Sequence, residues 1–163
     1  MTYLIAAIIA AGHLAEPAQQ LSSTIVISPV YRSAVGAMLR YSPTFHRQYG
    51  RLARAPDLRI EIGPSLLAGR AGESAVTRIV RRSGRIEADV QLGPAGDPVL
   101  LIAHEFEHIL EQLDDVDLLS MASRSGTGVR LVAGSDHFET DRAIAAGRQV
   151  VDEVRRGRAR DGT

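Results

Sequence analysis

The alternation of apolar and polar residues predicts four strands. Residues 23–28 form a short β-branched run that Pro29 ends. In residues 58–62 and 86–92 apolar side chains alternate with charged ones, a pattern typical of half-buried strands. A further apolar run, 76–81, precedes the turn-forming pair Ser83-Gly84, which predicts a hairpin with the strand at 86–92.

Elsewhere apolar residues recur every three or four positions, and this spacing predicts helices. Pro43 and Pro98 each stand where a helix is expected to begin, and Asp97 is a suitable N-cap for the second of these. Ser135 or Asp136 is the expected cap of a last helix. The predicted helices cover residues 30–40, 43–53, 98–113 and about 137–156, and the expected loops cover residues 63–74 and 114–136.

Strands and helices are mixed in order, which favours an α+β fold. No internal repeat or linker divides the 163 residues, a length suited to one core. We therefore predict a single domain over residues 21–163. Its small, mainly antiparallel sheet is expected to pack on the helix at 98–113 and on the C-terminal helix.

Residues 1–20 resemble a secretory signal and are expected to lie outside the domain. An apolar run from Tyr3 to Ala11 precedes small residues and then polar ones. The run is too short to span a bilayer as a helix, so no stable membrane insertion is expected. This segment predicts a periplasmic or secreted protein. The alternative is a segment packed on the core of a cytoplasmic protein.

The amino-acid composition restricts the metal ligands and the partners that can be expected. The chain has no cysteine, so a metal site must use His, Asp or Glu. Its formal net charge is zero, and its basic side chains are all Arg without interleaved aromatic residues. Neither feature favours a nucleic-acid partner.

The most specific motif is His104-Glu105-Phe106-Glu107-His108, inside the helix predicted for 98–113. Residues four apart share one face of a helix, so His104 and His108 are placed to ligate one Zn²⁺. Glu105 is placed to act as a general base on a water that zinc activates. Glu107 and Glu111 are candidate partners for a histidine N–H.

A catalytic zinc needs a third protein ligand, and three residues are candidates. Glu139 is preferred, near the expected start of the last helix. Asp114 lies six residues after His108, but the glycine that such spacing requires three residues after the second histidine is replaced by Glu111. His137 is the third candidate. His137 and three tyrosines, Tyr31, Tyr41 and Tyr49, are also candidate donors to an oxyanion.

This pattern resembles the gluzincin branch of zinc metallopeptidases, in particular small single-domain bacterial members. The resemblance spans roughly residues 57–156. It implies a zincin-like fold, ligands His104, His108 and Glu139 on two helices, and an edge strand at 86–92 that binds extended peptide. Many gluzincins carry an Asp four residues after the glutamate ligand, where this chain has Ala143. Asp141 or another carboxylate would then have to support a zinc histidine.

The expected function is therefore that of a zinc metallopeptidase acting on a peptide or protein substrate, with Glu105 as the base that activates water. The alternative is a non-catalytic metal-binding or protein-interaction domain that keeps the same fold.

Overall fold

The computed structural model describes residues 24–65, 75–132 and 137–162. The possible signal at 1–20, most of the loop expected at 63–74, and the proposed caps Ser135 and Asp136 lie outside these residues. Within them the chain has an α+β fold with two sheets and five α-helices.

The first half of the chain alternates strands and helices. β1 (Ile25–Ile27) leads through a short 3₁₀ turn (Pro29–Tyr31) into α1 (Arg32–Tyr41) and α2 (Pro43–Arg54), and β2 (Leu58–Pro64) follows. Ser42 separates the two helices and caps α2, since its hydroxyl accepts a hydrogen bond of 3.0 Å from the Phe45 amide. The predicted proline start of this helix is confirmed.

The hairpin predicted around Ser83-Gly84 is also confirmed. β3 (Ala75–Arg82) and β4 (Arg85–Leu92) pair antiparallel, with Arg82 opposite Arg85. Ser83 and Gly84 have φ values of 48° and 81°. Positive φ at both central residues is the geometry of a type I′ turn, which matches the twist of the two strands.

The main sheet has the order β1-β2-β4-β3. β1 pairs with β2 and β2 with β4 in parallel, and only β3 runs antiparallel to its neighbour. The sheet is therefore mixed, and the expectation of a mainly antiparallel sheet was wrong. The expected edge strand was wrong as well, because β4 lies inside the sheet and β3 forms its edge.

One face of this sheet forms the core with the helices. Ile60 and Val90 are fully buried, whereas Arg59 and Asp89, which directly precede them along the strands, are exposed on the opposite face. The central helix of the core is α3 (Pro98–Leu113), which begins as predicted at Pro98 with the Asp97 side chain accepting a hydrogen bond from the Val99 amide.

The last part of the chain differs most from expectation. The region 114–136, which was expected to be mostly loop, contains α4 (Leu118–Ala122) and β5 (Val129–Leu131). β6 (Phe138–Thr140) pairs antiparallel with β5, and α5 (Asp141–Asp161) follows. Thr140 caps α5, because its hydroxyl accepts a hydrogen bond of 3.0 Å from the Ala143 amide. The last helix thus starts about four residues later than predicted.

α5 packs antiparallel against α3. Its N-terminal end contacts Glu111 through Thr140, and Gly147, two turns on, lies against Leu100 and His104.

Among the described residues, no helix combines the length and the apolar character that a bilayer span requires.

Candidate metal centre

His104 and His108 project from the same side of α3 toward Glu139. Their Nε2 atoms lie 3.2 Å apart, and the two imidazole rings meet edge to face with centroids 4.8 Å apart. Glu139 Oε1 lies 3.4 Å from Nε2 of His104 and 3.7 Å from Nε2 of His108. Three potential ligand atoms therefore form a nearly equilateral triangle.

The sides of this triangle are close in length to the distances between ligand atoms in a tetrahedral zinc site. Tetrahedral zinc with ligand bonds of about 2.0 to 2.1 Å separates its ligand atoms by roughly 3.3 to 3.4 Å. The three observed separations, 3.2, 3.4 and 3.7 Å, bracket that value. In the part of the chain that the structure describes, this is the one cluster of His and acidic residues with such spacing.

The strand β6 brings Glu139 to this position, and the expectation that Glu139 lies on a second helix was wrong. Glu139 precedes the helix cap Thr140, so the place where α5 begins determines where its carboxylate lies. Its side chain is 32% exposed, compared with 15% for His104 and 14% for His108. The cluster therefore opens to the outside on the Glu139 side.

A buried carboxylate orients one of the two histidines. Glu111 Oε2 lies 2.9 Å from Nδ1 of His108, and its other oxygen accepts a hydrogen bond of 2.7 Å from the Thr140 hydroxyl. A proton on Nδ1 leaves the Nε2 lone pair directed at His104 and Glu139. Glu111 thus connects His108 with Thr140, the cap of α5 and the residue that follows Glu139 in the chain.

The charges around His108 are negative. Burial lowers the pKa of His108, but the hydrogen bond to Glu111 and the charges of Glu105, Glu111 and Glu139 outweigh burial, so its pKa lies above the ordinary value. The same carboxylates would favour a metal cation in place of the proton.

Glu105, the predicted base, lies beside the cluster. The residue is only 6% exposed, and it lines the same cleft as His104 and His108. None of the residues in the described ranges forms a hydrogen bond or ion pair with its carboxylate, and this placement leaves it available to a ligand in the cleft.

The other predicted residues lie elsewhere or play other roles. Asp114 forms ion pairs with Arg51 (2.6 Å) and Arg142 (3.3 Å) and is not part of the histidine cluster. Asp141 pairs with Arg130 at 2.7 Å instead of supporting a histidine. His137 lines the cleft but lies outside the three-residue cluster. The candidate oxyanion donors Tyr31, Tyr41 and Tyr49 do not line the cleft.

The cleft itself has a volume of about 600 Å³ and runs between β3 and the helices α3 and α5. Slightly more than half of its lining residues are apolar, and the others, which include the histidines and Glu139, are polar or charged. Such a combination is usual in a binding pocket. Its apolar lining residues are Ala75, Val76, Ile79, Leu100, Leu101, Leu118, Val132, Phe138 and Ile144.

Of the two carboxylates expected to contact a histidine N–H, Glu111 does so, at the i, i+3 spacing from His108 at which helical side chains meet. Glu107 instead contacts Gln48 and Arg142.

One further residue of the site could have been noticed in the sequence. Arg148, which lines the cleft from α5, follows Gly147, and a glycine inside a helix is a sign of close approach between elements.

Comparison with protein-family models, with curated proteins and with solved structures finds no significant match to this chain. The resemblance to gluzincins therefore stays a prediction that depends on the His-Glu-x-x-His motif.

Proposed function

We propose that this protein is a zinc-dependent hydrolase that cleaves peptide bonds. The observation that carries the proposal is the triangle of His104, His108 and Glu139 ligand atoms, 3.2 to 3.7 Å on a side, at the wall of an open cleft. Its dimensions and its two imidazoles with one carboxylate suit Zn²⁺.

The residues around the triangle have the properties that hydrolysis requires. A zinc ion bound there would supply a Lewis acid. Glu105 would accept a proton from the attacking water and return it to the departing amine, so that water and a peptide bond give a carboxylate and an amine. Glu111 would hold the His108 ring in the tautomer that binds metal.

The edge strand β3 supports a peptide as the substrate. In a two-residue hairpin the residues that flank the turn form a hydrogen-bonded pair, so Arg82 and Arg85 bond to each other. Alternation then directs the peptide groups of Ala75, Thr77 and Ile79 away from β4, toward an edge of the sheet that no strand of the described residues covers. These three residues line the cleft, where an extended chain can add as a further strand.

The alternative, a metal-binding or interaction domain without catalysis, predicts a site closed by its ligands. Structural zinc sites have four protein ligands, whereas catalytic sites have three and an open position. Among the described residues the cluster has three members, and none of these residues pairs with the Glu105 carboxylate beside it. This arrangement, in a cleft of about 600 Å³, favours catalysis.

The first test is the metal content of the purified protein by mass spectrometry. We expect one zinc per chain, lost in His104→Ala and in Glu139→Ala. Asp114→Ala is the matched control, because it removes a carboxylate that the structure pairs with arginines. Zinc retained in Glu139→Ala but lost in Asp114→Ala or His137→Ala would assign another third ligand. No zinc in the wild type after zinc is supplied would refute the proposal.

The second test separates binding from catalysis. Glu105→Gln should keep zinc and lose hydrolysis of a peptide library by about a hundredfold or more. Wild-type protein that binds zinc and cleaves no peptide would favour the non-catalytic alternative.

A further inference from the structure

Arg148 introduces a positive charge into the cleft. It lies on α5 and lines the cleft together with His104, Glu105 and Glu139. Among the described residues that line this cleft it is the one Arg, and no described residue forms an ion pair or hydrogen bond with it. Its exposed guanidinium is therefore available to an anionic ligand.

The packing of α5 on α3 places Arg148 near one end of the cleft. A Cβ at the preceding residue, Gly147, would lie 3.0 Å from the Leu100 carbonyl oxygen and 3.4 Å from Cβ of His104. Arg148 thus lies beside the turn of α3 that precedes His104. One helical turn corresponds to about 5.4 Å, slightly less than the length of two residues of an extended peptide.

The direction of β3 indicates which end of a bound peptide meets Arg148. Ala75 pairs with Leu92, which lies shortly before the start of α3, and the Arg81 side chain contacts Asp115 beyond the end of α3. β3 therefore runs in the same direction as α3. A peptide added antiparallel to β3, the slightly more stable pairing, would direct its carboxyl end toward Ala75 and Arg148.

We infer that Arg148 binds a carboxylate of the substrate on the carboxyl-terminal side of the cleaved bond. The inference rests on the proposed peptide hydrolase. The carboxylate is either the free C-terminus, one or two residues beyond the bond, or the side chain of an Asp or Glu there. A guanidinium can donate two parallel hydrogen bonds to either group. Arg148 would thus select peptides and position them, without taking part in proton transfer.

The test compares three N-terminally labelled peptides that share an apolar sequence. The first ends in a free carboxylate, the second in an amide, and the third in an amide after a final Glu. Affinity for the zinc-supplied protein is measured by fluorescence anisotropy, and cleavage is measured by mass spectrometry. The variants are Arg148→Gln and Arg148→Lys, with Arg155→Gln as a control on the same helix but outside the cleft lining.

We expect the wild type to bind the free acid about tenfold more tightly than the plain amide. Arg148→Gln should remove this preference, Arg148→Lys should keep part of it, and Arg155→Gln should keep all of it. Tight binding of the third peptide as well would identify an acidic side chain as a second source of the carboxylate, and weak binding would restrict the source to the C-terminus.

Equal affinities of the wild type for all three peptides, or no binding of any of them, would overturn the inference, as would a preference that persists in Arg148→Gln. The cleavage measurement tests the proposed hydrolase separately. Cleavage of all three peptides at the same rate would keep the hydrolase and overturn the role of Arg148. A preference lost in Arg148→Gln without any cleavage would keep the role of Arg148 and count against the hydrolase.

Discussion

Two buried carboxylates one turn apart on α3 have opposite surroundings. Glu107 accepts a hydrogen bond of 2.6 Å from the Gln48 amide on α2 and pairs with the Arg142 guanidinium on α5. Glu111 accepts hydrogen bonds from His108 and from the Thr140 hydroxyl. Both carboxylates have all their oxygens hydrogen-bonded, but of the two only Glu107 forms an ion pair with an arginine, Arg142, among the described residues.

This difference distinguishes a face of α3 whose charges are paired within the protein from the face that carries the proposed metal site. Buried charges are normally paired or bound to metal. On the Glu107 side the charges are balanced within the protein. On the Glu111 side three carboxylates, Glu105, Glu111 and Glu139, surround two imidazoles, and the described residues place no arginine in an ion pair with any of them. The second face therefore requires protons or a cation from solution.

The largest effect on stability is expected from Glu107→Ala. The substitution removes one of two partners from each of Arg142 and Gln48, which keep Asp114 and the Ala103 carbonyl respectively. Breaking this partly buried pair should lower the free energy of unfolding by about 2 to 3 kcal/mol. Urea denaturation of the metal-free protein measures this loss, whereas zinc stoichiometry should stay at the wild-type value.

The matched control is Glu61→Ala, which removes an exposed carboxylate paired with Arg59 at 2.7 Å. Because surface ion pairs contribute little, its effect should stay within about 0.5 kcal/mol. Loss of zinc in Glu107→Ala would contradict the separation of the two faces.

On the other face, Glu111→Gln should act mainly on metal affinity. The amide keeps the size of the side chain but no longer favours the His108 tautomer that directs its Nε2 lone pair at the cluster. We expect zinc affinity to fall by about 10- to 100-fold, measured by competition with a chelator. An unchanged zinc affinity would show that Glu111 only holds the start of α5 through its hydrogen bond with the Thr140 hydroxyl.

A smaller effect on zinc is expected from Gly147→Ala, which tests the spacing of α3 and α5. The added Cβ would crowd the Leu100 carbonyl at 3.0 Å, so α5 must shift near His104. Zinc affinity should fall by roughly threefold, while the higher helix propensity of alanine, about 1 kcal/mol, offsets the strain in overall stability. Gly36→Ala, where nothing lies within 4 Å of the added atom, should stabilise the protein and leave zinc binding unchanged.

The smallest effect concerns Glu153, a carboxylate on α5 whose partners are all neutral. Burial raises its pKa, but hydrogen bonds from the Ser42 hydroxyl and from the Thr44 amide and hydroxyl lower it overall. A lowered pKa in the folded state means that the carboxylate stabilises the fold above about pH 4.5 and that this contribution is lost as pH falls through the folded value.

Glu153→Gln should therefore cost about 1 kcal/mol at pH 7, and its difference from the wild type should shrink between about pH 5 and pH 3. Urea midpoints at several pH values measure this difference. Asp152→Asn, an exposed neighbour, is the control. A difference that does not depend on pH would mean that the hydrogen bonds are insensitive to the charge of Glu153.

Local patterns in the sequence were enough to predict most of the secondary structure. The prolines and caps at the starts of α2 and α3, the hairpin turn at Ser83-Gly84 and the i, i+4 placement of His104 and His108 were all predicted. These features depend on residues within about one turn of each other, where backbone geometry leaves few options.

Relations between distant segments needed the tertiary structure. The pairing of β5 with β6 places Glu139 on a strand, and the parallel pairing of β2 with β4 moves the edge of the sheet to β3. The contact between α3 and α5 brings Glu111 to Thr140 and Arg148 into the cleft. The sequence alone thus determined two histidines and a glutamate on one helix. Only the packing of α5 and β6 against that helix decided which carboxylate completes the cluster, because such contacts depend on the burial of whole elements and leave no periodic trace in the chain.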